Sequence, residues 1–402
     1  MSAYSTAGIS EQDLPARAEE TRRRALLAGG GGLLVWLLLA LLPYTRQAAL
    51  AAYLSAYTFV LGLSVGCLGF LMLHQLVGGK WGFVVRRPME AAVGVLPLMA
   101  ALFLPLVLFS GALYEWTDAT AVAHSEILRG KAGYLNMPFW LARAALYFTI
   151  WIGLGFILRR NAAAQDLTDD PTPTRRSQTI SGPGLVLTFL AVSFAAIDWM
   201  MSIEPEWYST IYGVMIMIGW ALSALAMLVI VSAWLSDVPP LSEVADEGGF
   251  HDLGNLMLAF TMLWAYMSFS QFLIIWMGDL TEDIPWYLKR SAGGWRPICG
   301  TLIAFHFFVP FFCLLVRENK RKAGRLWRVA AALLALHLLN DTWLVVPAFP
   351  RQWAALLALV PAVVGVGGLW LSLFLGRLTA RPLLPRHDPL LAEALAHHGG
   401  DH

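Results

Sequence analysis

Ten apolar runs of about twenty residues, joined by shorter polar connections, leave this chain few folds to adopt. They lie near 25–43, 53–76, 91–113, 137–158, 183–203, 211–234, 253–277, 297–316, 329–346 and 353–376. At about 1.5 Å of rise per residue, a helix of that length crosses a hydrocarbon layer roughly 30 Å thick. No water reaches that layer, so every backbone N–H and C=O must be bonded within the protein, and only helices and closed barrels span it. Strict apolar–polar alternation is absent, which argues against a barrel. The 58% hydrophobic content, against 14% charged, is more apolar surface than a soluble domain of this size could bury. The sequence predicts an all-α integral membrane protein with ten transmembrane helices over 25–376, between tails at 1–24 and 377–402.

Basic residues set the expected orientation. With the N-terminus in the cytoplasm, the inner connections and tails carry 20 Lys and Arg and the outer connections carry 7. That asymmetry predicts both termini on the cytoplasmic side of a bacterial cytoplasmic membrane. The loop near 235–250 has no basic residue and is inner by parity alone. Arg22, Arg23 and Arg24 before a Gly- and Leu-rich run resemble a twin-arginine or secretory signal. The run is longer than a cleaved signal core and the next follows almost at once, so a retained helix is expected.

Several chemistries are disfavoured. Cys67, Cys299 and Cys313 all sit in apolar helices, with no CxxC or Cys/His cluster, as packing residues do. No P-loop, GxGxxG or GxSxG constellation stands in a suitable context. Net charge near +1 argues against a nucleic-acid partner. Of nine histidines, only His74, His306 and His337 lie within spans, and no helix carries two. His306 and His337 are the pair whose depths leave room for one haem between helices, but no cofactor is expected on this chain. The remaining loop and tail histidines, His124, His387, His397, His398 and His402, are expected in solvent.

Longer segments are distinctive. GNLMLAFTMLWAYMSFSQFLIIWMGDLTEDIPWYLKR runs from Gly254 to Arg290, HQLVGGKWGFVVRRPMEAA runs from His74, and YLNMPFWLAR ends at Arg143. FAAIDWMMSIEPEWYSTIYG surrounds Asp198, and FHFFVPFFCLLVRENKRK surrounds His306. Together these cover most of 60–325 and resemble the NrfD-like integral-membrane subunits of alternative complex III, the ActF type more than the longer ActC type. The resemblance implies a membrane subunit of a quinol:electron-acceptor oxidoreductase. It also implies an ActC-like neighbour, an iron–sulfur subunit and c-type haem subunits, with the haem c and iron–sulfur clusters held by those partners. It further implies two four-helix bundles, spans 2–5 and 6–9, flanked by spans 1 and 10. Faint internal symmetry agrees: Trp140 and Arg143 match Trp295 and Arg296, and Asp198 with Trp199 matches Asp341 with Trp343. A four-span shift preserves helix direction, so such repeats would be parallel.

Only three charged side chains fall inside the apolar runs: Arg143, Asp198 and Asp341. An ionisable group there is costly and is a functional candidate by default. Arg143 lies about six residues into span 4, so roughly 9 Å deep. Asp198 stands about five residues from the same end of span 5, which predicts an ion pair that holds bundle one together, carries a proton, or both. Asp341 has His337 one helical turn earlier and His306 at comparable depth on span 8. A His–carboxylate pair is a candidate proton relay, since imidazole titrates near neutrality; the alternative is a buried histidine satisfied by the carboxylate.

A polar stripe on span 7, Thr261, Trp264, Ser268 and Gln271, follows one helical face. It would serve interhelical hydrogen bonds or a water-filled half-channel. The candidate proton route starts at His74, Glu90, His251 and Asp252 and leads to His306, His337 and Asp341, with Arg143 and Asp198 as the outer counterpart. A quinone or menaquinone head would need hydrogen-bonding groups at the mouth of an apolar cleft. Glu115, Arg143, Asp198, Glu204 and Glu206 are the candidates. Two other classes fit the pattern: a proton-coupled secondary transporter and a purely scaffolding subunit.

Overall fold

The computed structural model describes residues 14–239, 241–385, 387–389 and 391. The described residues are helical, with no strand among them, and ten helices are long and apolar enough to cross a membrane. They are α1 (Ala18–Leu41), α2 (Arg46–Val77), α3 (Lys80–Leu108), α4 (Met137–Gln165), α5 (Thr172–Ile203), α6 (Tyr212–Leu235), α7 (Glu247–Gly278), α8 (Trp295–Leu315), α9 (Ala323–Ala348) and α10 (Gln352–Leu378). His397, His398 and His402 lie outside the described residues, as does half of the expected C-terminal tail.

Several helices outrun the apolar runs that announced them. Helix continues back to Leu14, into the expected N-terminal tail, where Glu19–Arg22 and Glu20–Arg24 pair across one turn. α2 begins at Arg46, whose guanidinium bonds the carbonyls of Ala40 and Leu41 at the end of α1. α3 begins at Lys80 because Arg86, Arg87 and Glu90, which read as a loop, neutralise one another inside the helix.

Two helices form the centre. Within the most apolar window, 89% of α2 and 72% of α6 is buried, against 22% for each of α1, α7 and α8. α2 packs against α3, α5, α6, α9 and α10; α6 packs against α2, α5, α7 and α9. Lipid tails are as apolar as leucine, so close approach rather than hydrophobic exclusion holds such helices together. Gly62 and Gly66 make that approach possible. A Cβ at either would come within 2.6 Å of Trp220 or Ala224 on α6.

α3 and α8 are irregular, each beside proline. Near Pro105 the regular ladder of α3 breaks up, and Phe103 and Leu106 donate to Ala100 and Phe103 instead. This leaves the carbonyls of Met99 and Leu102 free for the hydroxyls of Tyr57 (2.9 Å) and Tyr53 (2.7 Å) on α2. Non-helical backbone at membrane depth is thus satisfied by buried protein groups. In α8, Pro310 has no N–H to give the carbonyl of His306 four residues earlier. The preceding segment Leu302–Phe308 winds as a wider π-helix and carries His306.

Candidate functional site

Arg143 and Asp198 meet as predicted. The Arg143 Nε and Nη2 atoms donate to the two Asp198 carboxylate oxygens at 2.7 and 2.9 Å. Tyr147 adds its hydroxyl to Oδ2 at 2.8 Å. The third guanidinium nitrogen donates to the Tyr134 carbonyl, and the cation lies 3.8 Å from the Tyr134 ring centre. The Asp198 backbone carbonyl accepts from Trp140 and Ser202. A bidentate pair of this kind is strong and fixed in geometry. Asp198 is fully buried, and every acceptor it offers is taken.

His74 and Glu90 belong to a second saturated network, at the end of the helices where the basic residues gather. Glu90 accepts from Arg86 at 2.9 Å and from Arg87 at 2.6 Å, and Arg87 also reaches Asp166 at 2.5 Å. Arg86 faces His74 Nδ1 at 3.1 Å, and His74 Nε2 faces the Gly79 carbonyl at 3.1 Å. An arginine can only donate, so Nδ1 accepts, Nε2 carries the hydrogen and the ring is neutral. Turned so that its oxygen faces Arg86, the Gln75 amide joins the same network. Two residues near the C-terminal end join it: the Pro382 carbonyl accepts from Arg87, and Asp388 stands 3.7 Å from Arg86.

His251 and Asp252 are half-buried at the same end, 4.0 Å apart, with Asn255 beside His251. The α7 stripe does face inward at Thr261, Trp264 and Gln271, with Ser268 half-buried. Thr261 returns its hydroxyl to the Met257 carbonyl of its own helix, and Gln271 accepts from Ser209. Both groups are used in local hydrogen bonds.

Three of the five quinone candidates are committed to ion pairs. Arg143 and Asp198 are occupied with each other, while Glu115 and Glu206 are exposed in connections. Glu204 accepts from Lys289 at 2.9 Å and from Arg290 at 2.7 Å. Arg290 is a buried cation of the second half, 1% exposed, and also donates to the Leu344 and Trp286 carbonyls. Burial pulls its guanidinium below the ordinary arginine value, and Glu204 counters that pull. Arg296, which internal symmetry matches to Arg143, is exposed, and the buried Arg290 lies in a connection between apolar runs. The short helix Ile284–Ser291 carries the missed signal, since Trp286 lies under the guanidinium and Trp343 donates to the Arg290 carbonyl.

His306, His337 and Asp341 are brought together and left unsatisfied. His337 Nε2 faces Asp341 Oδ1 at 3.4 Å, too long for a good hydrogen bond. The two imidazoles stack with ring centres 5.5 Å apart. All three side chains are at most 2% exposed, yet both nitrogens of each histidine and Asp341 Oδ2 have no hydrogen-bond partner. Asn340 lies beside Asp341, and the rings around the histidines are aromatic. Trp264 meets His306 edge-on with centres 4.1 Å apart, and Phe59 from α2 flanks His337. Gly219 on α6 gives His337 its room, for a Cβ there would lie 2.4 Å from the ring. Buried polar atoms are usually paired, so a cluster with this many open positions calls for a role. Among the described residues, no group of three His, Cys, Asp or Glu side chains is placed to hold a metal ion.

Neither family models nor curated proteins provide a match for the chain.

Proposed function

We propose that this chain is a membrane subunit of a quinol:electron-acceptor oxidoreductase of the alternative complex III type, and that His306, His337 and Asp341 handle protons within it. The first half of the reading rests on the sequence segments that resemble NrfD-like subunits. The second rests on one observation: three titratable side chains meet in an apolar setting with their polar atoms open. The chain brings no redox cofactor of its own. Its partners are an ActC-like subunit, an iron–sulfur subunit and c-type haem subunits, in a bacterial cytoplasmic membrane with both termini inside. The ten helices form two related four-helix units, α2–α5 and α6–α9, with α2 against α6 at their junction.

The chemistry asked of the cluster is modest. A proton on His337 Nε2 needs to close a gap of 3.4 Å to reach the Asp341 carboxylate. His306 stands next in line on a π-helical segment, a form of helix that recurs at functional sites. A change of ring orientation is enough to make and break these links. The saturated groups, His74, Glu90, Arg143 and Asp198, hold the helices in place.

The experiment is isolation of the full chain from its native membrane, followed by quinol oxidation and proton release measured on wild type and Asp341→Asn. Co-purification of c-type haem and iron–sulfur proteins, with proton release lowered in the variant, supports the reading. Recovery of the chain alone, with solute transport after reconstitution, sinks the oxidoreductase half. Unchanged proton release in Asp341→Asn sinks the proton half and favours a scaffold. A transporter with parallel repeats would break helices at corresponding places. Here the irregular helices are α3 and α8, which a four-helix shift does not superimpose.

A further inference from the structure

Where α3, α4 and α10 meet on the basic side, positive charge exceeds negative among the described residues. Arg87, Arg159, Arg377 and Arg381 line one partly open notch together with a single acid, Glu90. Glu90 is already committed to Arg86 and Arg87, and Arg381 reaches it only at 3.7 Å. Arg87 has a second acid in Asp166. Among the described residues, Arg159 and Arg377 have no ion pair. Arg381 instead donates to the Arg159 backbone carbonyl, at 3.4 and 3.5 Å, which brings the two cations close. Gly94 on α3 makes room for this, since a Cβ there would stand 2.9 Å from the Arg159 guanidinium carbon. Three guanidinium groups held side by side repel one another, and each is a planar donor suited to a phosphate oxygen.

We propose that this notch binds the phosphodiester headgroup of an acidic glycerophospholipid. A phosphate would bring the missing negative charge to Arg159, Arg377 and Arg381 at once. A lipid fits better than a free anion because the notch lies at the ends of membrane-crossing helices. Phe156, one turn into α4 from Arg159 on the same face, is 62% exposed, and Ile157 is 39% exposed. An acyl chain has apolar surface to lie on directly beside the charged notch. Basic pockets between spanning helices are suited to such headgroups.

The test uses the purified full chain in detergent and titrates phosphatidylglycerol, phosphatidylcholine and inorganic phosphate. Wild type is expected to bind phosphatidylglycerol over phosphatidylcholine, with inorganic phosphate unable to displace it. Each arginine removed should weaken binding about fivefold, so Arg159→Gln with Arg377→Gln should cost about 25-fold. Arg377→Gln alone keeps the test valid if the double variant misfolds, because Arg377 is exposed and holds no ion pair. The control is Arg175→Gln with Arg176→Gln, two exposed arginines at the start of α5 that remove the same charge outside the notch. That control should stay within about twofold of wild type. An equal loss in the control pair, or in neither pair, overturns the proposal. Displacement of the lipid by inorganic phosphate overturns the lipid as the ligand. The result is independent of quinol oxidation and proton release, so it stands or falls apart from the proposed function.

Discussion

Asp198 and Asp341 occupy similar places and are treated in opposite ways. Each lies near one end of a spanning helix, each has a tryptophan close by in sequence, and each is at most 1% exposed. Asp198 receives two arginine nitrogens and a tyrosine hydroxyl. Asp341 has a histidine at 3.4 Å and an oxygen with no partner. Arg290, the most deeply buried cation near the second half among the described residues, is taken by Glu204 instead. A membrane protein that can build the first arrangement could also have built it twice. That it did not separates a carboxylate used to fix helices from one kept free to change its protonation.

The sharpest way to break this contrast is to remove a partner from the saturated side. Arg143→Ala should leave a fully buried carboxylate uncompensated and cost about 3–5 kcal/mol, read as a lower melting temperature and yield in detergent. Replacing both members with apolar residues, Arg143→Met with Asp198→Leu, should restore much of that loss. If the single variant were as stable as wild type, Asp198 would be no more anchored than Asp341 and the contrast would disappear.

Next in size is the other satisfied cation. Glu204→Gln keeps an acceptor for Arg290 but removes the opposing charge, and the Leu344 and Trp286 carbonyls remain. A loss of about 1.5–3 kcal/mol is expected, measured in the same melts. A much smaller change would mean that carbonyls alone hold Arg290, leaving Glu204 free for another use.

What could be read from the chain follows from periodicity and depth. Each of the ten apolar runs overlaps one of the ten long helices and six lie wholly inside it, and the Arg143–Asp198 pair was legible because both residues lie at one depth on consecutive antiparallel helices. The start of α3 was not, since Arg86, Arg87 and Glu90 look like a loop until their mutual neutralisation is seen. Arg290 was hidden for a related reason. It sits in a connection that reads as solvent-exposed, and only Trp286, Trp343 and Glu204, distant in sequence, enclose it. The His306–His337–Asp341 grouping was visible from spacing. Its lack of partners was not, because that depends on which faces of α2, α6 and α7 close around it.

A change of intermediate size presses on the second cluster without altering its charges. In Gly219→Ala the new methyl would stand 2.4 Å from His337 Cε1 and 2.8 Å from Nε2, so the ring must move. Overpacking of this kind should cost about 1–3 kcal/mol in melting experiments. It should also alter proton release if the spacing between His337 and Asp341 matters. A stability loss with unchanged proton release would assign His337 to packing alone.

The smallest structural effect should accompany the largest functional one. Asp341→Asn changes an oxygen to an amide nitrogen where one carboxylate oxygen has no partner. Stability should change by under about 1 kcal/mol, since the new amide keeps an oxygen that can still meet Asn340 and His337 stands too far off, at 3.4 Å, to lose much. Asp198→Asn, by contrast, weakens a bidentate ion pair and should lower the melting temperature clearly. A group that is costly to bury and costs little to remove is not there to hold the fold. Should Asp341→Asn instead destabilise the protein as much as Asp198→Asn, Asp341 would be a structural residue after all, and the two halves would be copies of one scaffold.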